Sequence, residues 1–317
     1  MKHFITTTAL MSVLFLNPTN DAEAAMKKTV SFESNGQTLP GNLYLPDNYK
    51  EGDKLPGVVV TGAWTSVKEQ MPAGYAEKIA DKGYAALAFD FRGWGEAAKN
   101  APENLKYVEN PEEKTKDIVA AANYLMTRPE VNSEKLATLG ICASSGYAIN
   151  AANQNSNIKT VATVAPWLHD AGIVKEQYGD EVSELKKATA KAKEEGPEIL
   201  EAAGKEGSGA VMEGEGYYTD PNRGAIPEYD NKFSTLSWGP WLNYDAVQIA
   251  SNLSVPVLLV HSEKAAIPQG AKKFASEGGD KVKLIMLEDV TQFDFYDQEE
   301  PMTKALNEVD KHFKNTL

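Results

Sequence analysis

The one cysteine of this chain stands in the segment Leu139-Gly140-Ile141-Cys142-Ala143-Ser144-Ser145-Gly146. An apolar run precedes it and a stretch of small, helix-compatible residues follows. A nucleophile on a tight strand-to-helix turn needs small residues two positions before and two after it, or the turn clashes. Gly140 and Ser144 meet that requirement around Cys142. A helix start also offers unpaired backbone N–H groups and a positive dipole end, which favour a thiolate and an oxyanion. A thiol so placed is expected to have its pKa lowered from about 8.5 toward 7 or below, and to attack a carbonyl unaided by an imidazole. A second register is open. Cys142-Ala143-Ser144-Ser145-Gly146 also reads small-x-Ser-x-Gly and would make Ser144 the alternative nucleophile. Gly140, at the end of the strand, favours the cysteine register. The bland reading is a buried, inert cysteine.

The other candidates are sparse. The four histidines, at 3, 169, 261 and 312, have no metal-ligand spacing, and one cysteine excludes a multi-thiolate zinc site, so no metal and no cofactor is expected. His169 follows Ala165-Pro166-Trp167-Leu168 directly after a strand, with Asp170 beside it. If that strand adjoins the elbow strand, about 5 Å away, His169 can reach Cys142 as a catalytic partner; otherwise it is a hinge histidine. His261 ends a strand and reads as packed; His312, in the last helix, reads as exposed. Lys68, Glu69 and Gln70 fit equally a solvated helix start and a cleft wall.

The elements that must position these residues alternate. Asn35-Gly36 is a hairpin turn between Thr29–Phe32 and Leu43–Leu45. Buried strands are expected at 57–61, 84–91, 136–141, 160–164, 255–260 and 282–287. Helices are expected at about 70–82, from the Asn110-Pro111-Glu112-Glu113 cap to before Pro129, at 143–153, and last over Met302, Leu306, Val309 and Phe313. Such alternation predicts a doubly wound, mainly parallel α/β sheet. It breaks between about 166 and 246. Residues 171–216 hold 11 Asp/Glu and 6 Lys/Arg; Val174, Tyr178, Val182 and Leu185 suit a surface helix, and aromatics from Tyr217 to Tyr244 follow. An insertion of this kind at the carboxyl edge of a parallel sheet reads as a cap over a binding cleft.

Taken in order, these motifs resemble the α/β-hydrolase superfamily, in its dienelactone-hydrolase-like branch with a thiol at the nucleophile elbow. Val60-Thr61-Gly62-Ala63-Trp64 resembles the strand 3 loop that donates an oxyanion N–H, Phe89-Asp90-Phe91-Arg92-Gly93-Trp94-Gly95-Glu96 the turn after strand 4, and Val257–Glu263 the strand 7 end before the acid. The resemblance runs from about residue 28 to 317. It implies an α/β-hydrolase core at 25–165 and 247–317 with a cap at 166–246, inserted after strand 6. It also implies an oxyanion hole from the N–H of Ala143 and that of Ala63 or Trp64, whose side chain would wall the pocket. Asp90 and Arg92 look like a turn-stabilising pair. The triad is degenerate. The acid position falls on Ala265, leaving Glu263 as the nearest candidate acid, and the histidine position falls on Gln292, which cannot take a proton at neutral pH.

The N-terminus carries Lys2, an apolar run from Phe4 to Leu16, and Ala22-Glu23-Ala24. This is the order of a secretory signal peptide (1–24), and the run is shorter than the about 20 residues of a membrane span. A periplasmic or secreted protein with no membrane association after cleavage is expected. The net charge of −13 argues against nucleic acid as a partner, and 42% apolar residues fit a folded globular chain. The expected function is cleavage of a small activated ester, lactone or thioester through an acyl-thioenzyme. The alternatives are a non-catalytic ligand-binding protein on the same scaffold and an acyltransferase. Substrate identity and oligomeric state are not legible in the sequence.

Overall fold

The computed structural model describes residues 25–214 and 216–317. The expected signal peptide, residues 1–24, lies outside the described residues. Eight strands form one sheet: β1 (Met26–Ser34), β2 (Gln37–Leu45), β3 (Leu55–Thr61), β4 (Ala85–Phe89), β5 (Val131–Ile141), β6 (Ile158–Val164), β7 (Val257–Ser262) and β8 (Val282–Leu287). Their order is β1-β2-β4-β3-β5-β6-β7-β8. The β1–β2 and β2–β4 pairs are antiparallel and every other pair is parallel. This is the α/β-hydrolase fold. The hairpin turns at Asn35-Gly36, both at positive φ (47° and 77°), with Ser34 opposite Gln37.

The central strands are sealed on both faces. Val58, Val59 and Val60 of β3 and Leu139 and Ile141 of β5 are all buried, as parallel strands covered by helices require. The main flanking helices are α1 (Met71–Ala80), α2 (Pro111–Met126), α3 (Ser144–Gln154), α4 (Ala171–Tyr178), α5 (Glu181–Glu195), α6 (Pro268–Gly278) and α7 (Glu299–Thr316). Helix α2 starts as its sequence dictates. The Asn110 side chain accepts from the N–H groups of Glu112 and Glu113, and Pro111 fills the first turn. It buries Ile118, Ala121, Ala122 and Leu125 against the sheet and α3. The surface helix expected around Val174–Leu185 is two helices, α4 and α5, because Gly179 takes a positive φ of 53° and ends the first.

Candidate active site

The turn between β5 and α3 lies at the sheet's carboxyl end and joins the two elements through Cys142 and Ala143. Cys142 is held at φ 58°, a conformation that non-glycine residues rarely adopt. Gly140 makes it sterically feasible: a Cβ there would lie 2.7 Å from the Ser144 carbonyl oxygen and 2.8 Å from Ser145 Cα. The Cys142 N–H donates to Val164 O (3.1 Å), and its carbonyl accepts from Ser145 N and Trp167 N. Ser144 closes the turn from within. Its hydroxyl donates to Ile141 O and accepts from Ile141 N (both 3.1 Å) and from Thr61 Oγ1 (3.0 Å), and it is fully buried. Cys142 lines the main cavity and Ser144 does not.

Left-handed non-glycine residues gather at this end of the sheet: Thr65 after β3, Cys142 after β5, Ala165 after β6, Ile267 after β7 and Asp289 after β8. Each costs backbone energy, and such strain concentrates where side chains and carbonyls must be aimed.

Burial pushes the Cys142 thiol above its ordinary pKa. Hydrogen bonds from the Tyr296 hydroxyl, the N–H groups of Trp64 and Ala143, and the Gln292 side chain pull the other way without cancelling it. This corrects the expectation of a thiol ionised near neutrality. The helix end is present, but Cys142 is buried, with only 6% of the residue exposed, and desolvation of the thiolate outweighs the local donors. The donor pair facing the sulfur is Trp64 and Ala143. Ala63 instead presents its carbonyl, which accepts from Ser66 N and Ser66 Oγ, so of the two N–H donors considered on this loop it is Trp64 that faces the sulfur.

Gln292 is locked. Its Oε1 accepts from Ala266 N (3.1 Å), and its Nε2 donates to Ala165 O (3.0 Å) and to the Tyr296 hydroxyl (3.1 Å). Both hydrogens of the amide have acceptors, so the sulfur shares one of them, and the orientation is unambiguous because the two Nε2 acceptors include a carbonyl. Tyr296 was not singled out by sequence reasoning. The available signal was its spacing, four residues after Gln292, within the Asp294–Asp297 helical turn.

The remaining expectations are placed elsewhere. His169 does not meet the sulfur. Its Nδ1 accepts from Trp167 Nε1 (3.1 Å) and its Nε2 donates to Trp241 O (3.1 Å), while burial depresses its pKa. With both nitrogens engaged, it anchors the 166–246 segment and is not a base. Glu263 is exposed and pairs with Lys272 (2.6 Å), so it is no triad acid. His261 is buried as expected; its Nε2 bonds Ala266 O (3.1 Å). His312 is half-buried, not exposed, and bonds Thr160 Oγ1 (2.7 Å). Asp90 and Arg92 do not pair with each other. Arg92 binds Asp117, Glu113 and Ser34, whereas Asp90 accepts from Lys68 Nζ (2.9 Å) and from the N–H groups of Lys68 (2.8 Å) and Glu96 (3.0 Å). Lys68 is therefore a buried tie between the loops after β3 and β4, which fixes the loop carrying Trp64. Among the described residues, no three His, Cys, Asp or Glu side chains form a metal-holding group.

Residues 39–199 match the dienelactone hydrolase family. The chain belongs to that family. The membership makes it a hydrolase, against the non-catalytic reading. The uncharacterized protein PA2218 of Pseudomonas aeruginosa is 27% identical over 92% of this chain and 82% of its own length. A crystal structure of PA2218 covers 96% of this chain and 100% of its own at a TM-score of 0.78 and 24% identity. A thiohydrolase of Aspergillus aculeatus is 26% identical over 53% of this chain and 50% of its own. The α/β-hydrolase GrgF of a Penicillium species shares the fold at a TM-score of 0.75 and 18% identity, over 92% of this chain and 99% of its own.

In this dienelactone hydrolase family member the sulfur opens onto a cavity of about 550 Å³. Core residues Trp64, Cys142, Ala143, Gln292 and Tyr296 form one side, and Trp167, Tyr178, Tyr218, Trp238 and Trp241 from the 166–246 segment the other. The Trp64 ring lies 4.8 Å from Phe233 and 5.2 Å from Trp241. The segment is pinned to the core by Tyr229 on Thr65 (3.0 Å), Gln70 on Gly224 O (2.6 Å) and Arg223 on Asp297 (2.6 Å).

Proposed function

We propose that this hydrolase is an exported cysteine enzyme, periplasmic or secreted, that cleaves a small activated ester, lactone or thioester through an acyl-thioenzyme. Residues 166–246 act as its cap and make the pocket apolar. The observation that carries the reading is the Cys142 sulfur, presented to the cavity by a strained elbow and facing two backbone donors from the loops after β3 and β5. In this reading the sulfur adds to the substrate carbonyl, and the N–H groups of Trp64 and Ala143 hold the oxyanion. The acyl group is then carried on sulfur until water removes it. Gln292 positions the site and has no proton to give. The name of the Aspergillus relative, a thiohydrolase, supports a thioester among the substrates.

A second reading, acyl transfer to an alcohol or amine, shares the thioenzyme. The observation favouring it is the aromatic lining of the cavity, where an apolar acceptor can compete with water, together with a 27% identical polyketide transferase of Penicillium crustosum over 43% of this chain. A panel of aryl esters and thioesters, run on wild type, Cys142→Ala and Ser144→Ala with intact-mass detection of adducts, tests both. Loss of turnover and of the acyl adduct in Cys142→Ala alone is expected. Loss in Ser144→Ala alone overturns the assignment. A new ester or amide formed with an added acceptor selects the transferase.

A further inference from the structure

Acyl transfer at a thiol needs a proton to leave sulfur and a proton to reach the departing group. Of the sulfur's four hydrogen-bond partners, two are backbone N–H groups and one is a primary amide, none of which exchanges protons in catalysis at neutral pH. The fourth is the Tyr296 phenol. Its oxygen accepts from Gln292 Nε2 (3.1 Å) and meets Cys142 Sγ, and both residues line the cavity. Its ring is clamped edge-on by Tyr217 (5.2 Å) and Phe293 (5.4 Å).

Resting on the reading of Cys142 as nucleophile, we infer that the Tyr296 hydroxyl is a catalytic proton relay for both halves of the reaction. The phenol oxygen has two lone pairs and one hydrogen. Gln292 occupies one lone pair. The hydroxyl donates to the sulfur only when the sulfur is a thiolate; with the thiol protonated, the second lone pair accepts from S–H and the hydroxyl hydrogen is left to be given away. In acylation the Sγ–C bond forms as the S–H proton passes to Tyr296 Oη. In the same concerted step the Oη proton passes to the leaving oxygen or sulfur as its bond to the carbonyl carbon breaks, so the phenol never holds two protons. The products are the acyl-thioenzyme and a neutral alcohol or thiol, with the phenol restored. In deacylation the water oxygen bonds to the carbonyl carbon while a water proton goes to Oη. In the same step the Oη proton passes to Sγ as the C–S bond breaks, giving the carboxylic acid and the thiol. Nothing is oxidised or reduced, and neither residue carries a charge at any resting point. That neutrality suits the surroundings: burial disfavours both the Cys142 thiolate and the Tyr296 phenolate, which lies well above the ordinary pKa of 10.

The test is Tyr296→Phe, which keeps the clamped ring, assayed on alkyl and p-nitrophenyl esters of one acyl group. General acid–base catalysis contributes about 10²–10⁴-fold. The alkyl ester should therefore lose about 100-fold or more. The p-nitrophenyl ester still has to lose the S–H proton but its leaving group departs without one, so its acylation should fall about tenfold less than that of the alkyl ester, and the Cys142 adduct should accumulate by intact mass because deacylation also lacks the relay. Equal losses on both esters, as a merely structural role would give, overturn the relay; so does turnover unchanged from wild type. A wild-type enzyme that never shows an adduct on Cys142 overturns the underlying cysteine reading instead. Should the variant fail to fold, a proton inventory on the wild type decides: a curved dependence of rate on deuterium fraction fits two protons in flight, and a linear one sinks the relay.

Discussion

Replacing Gly140 by Ala should disable the site while leaving the fold in place. The new Cβ would meet Ser144 O at 2.7 Å, Ser145 Cα at 2.8 Å and Ser144 C at 3.0 Å. All three atoms belong to the backbone of the first turn of α3, so none can rotate away. Ordinary contact begins at 3.4 Å, and the elbow must open by about 0.7 Å. Such overpacking costs about 1–3 kcal/mol. The displacement carries Ala143 N–H and the sulfur with it, but not Trp64 N–H, which rides on the loop after β3. The two oxyanion donors thus lose their common focus. Misplacement on the scale of 1 Å costs about 100-fold in rate, and loss of one donor about 10²–10³. Turnover of a p-nitrophenyl ester should fall about 100-fold in kcat/KM. Gly83→Ala is the control: Gly83 has φ 99° with nothing near its missing Cβ, so alanine there strains the backbone far from the cavity. It should be destabilised by about 1–2 kcal/mol with normal turnover. Gly140→Ala retaining turnover within about fivefold of wild type would refute the claim that elbow geometry sets the rate.

Three further outcomes follow from the same structure. Ser144→Ala should lose about 1–2 kcal/mol in urea unfolding, because the Ile141 and Thr61 groups lose their buried partner, yet keep turnover within about tenfold. Since burial raises the Cys142 thiol above 9, iodoacetamide labelling of the folded protein should accelerate with pH without levelling below 9; a plateau near pH 7 would show an ionised sulfur instead. Burial also lowers His261 from 6.5 to about 4. A depressed folded pKa gives stability that is complete above 6.5 and lost as pH falls through 4. The 2.5-unit difference is worth roughly 3 kcal/mol. His261→Gln should therefore show a flatter loss of urea stability between pH 7 and 4 than wild type, and equal slopes would refute this.

The core was legible because its signals are local. Valine runs bounded by Pro56 and Gly62 make a buried strand wherever they occur, and Asn110-Pro111 caps α2 with its own side chain. The elbow was legible for the same reason: its small flanks are adjacent in sequence. What was not legible depends on partners far along the chain. His169 looked like a base until Trp241 O, 72 residues away, took its Nε2. The thiol looked acidic until the fold buried it. Helix α6 was not foreseen, since it begins after a left-handed Ile267 with no capping side chain and buries only Gly270, Ala271 and Phe274. Tyr296 lay in view four residues past Gln292, but a tyrosine in an aromatic-rich stretch carries no mark of function before its hydroxyl is placed.

The paired absence of histidine and acid has a hydrogen-bond logic that yields a last test. A neutral imidazole at 292 can serve as a base only with its lone pair toward the sulfur, so its N–H must face the loop after β7. That loop offers Ala266 N–H, another donor, at the point where Gln292 Oε1 now accepts it. Gln292→His alone would meet donor with donor, or turn its lone pair to Ala266 and its N–H inward, and in neither pose is it a base. A carboxylate at the buried, cavity-lining position 265 supplies the missing acceptor. Gln292→His alone should accordingly fall at least tenfold below wild type in alkyl-ester turnover. Ala265→Asp combined with Gln292→His should recover about 100-fold or more over that single variant, as the 10²–10⁴ range of a general base implies, and acquire a pH inflection near the histidine value of about 6.5. If the single variant equals the double, with the same inflection, then Ala266 N–H does not dictate the polarity of residue 292, and glutamine is not there to meet that donor.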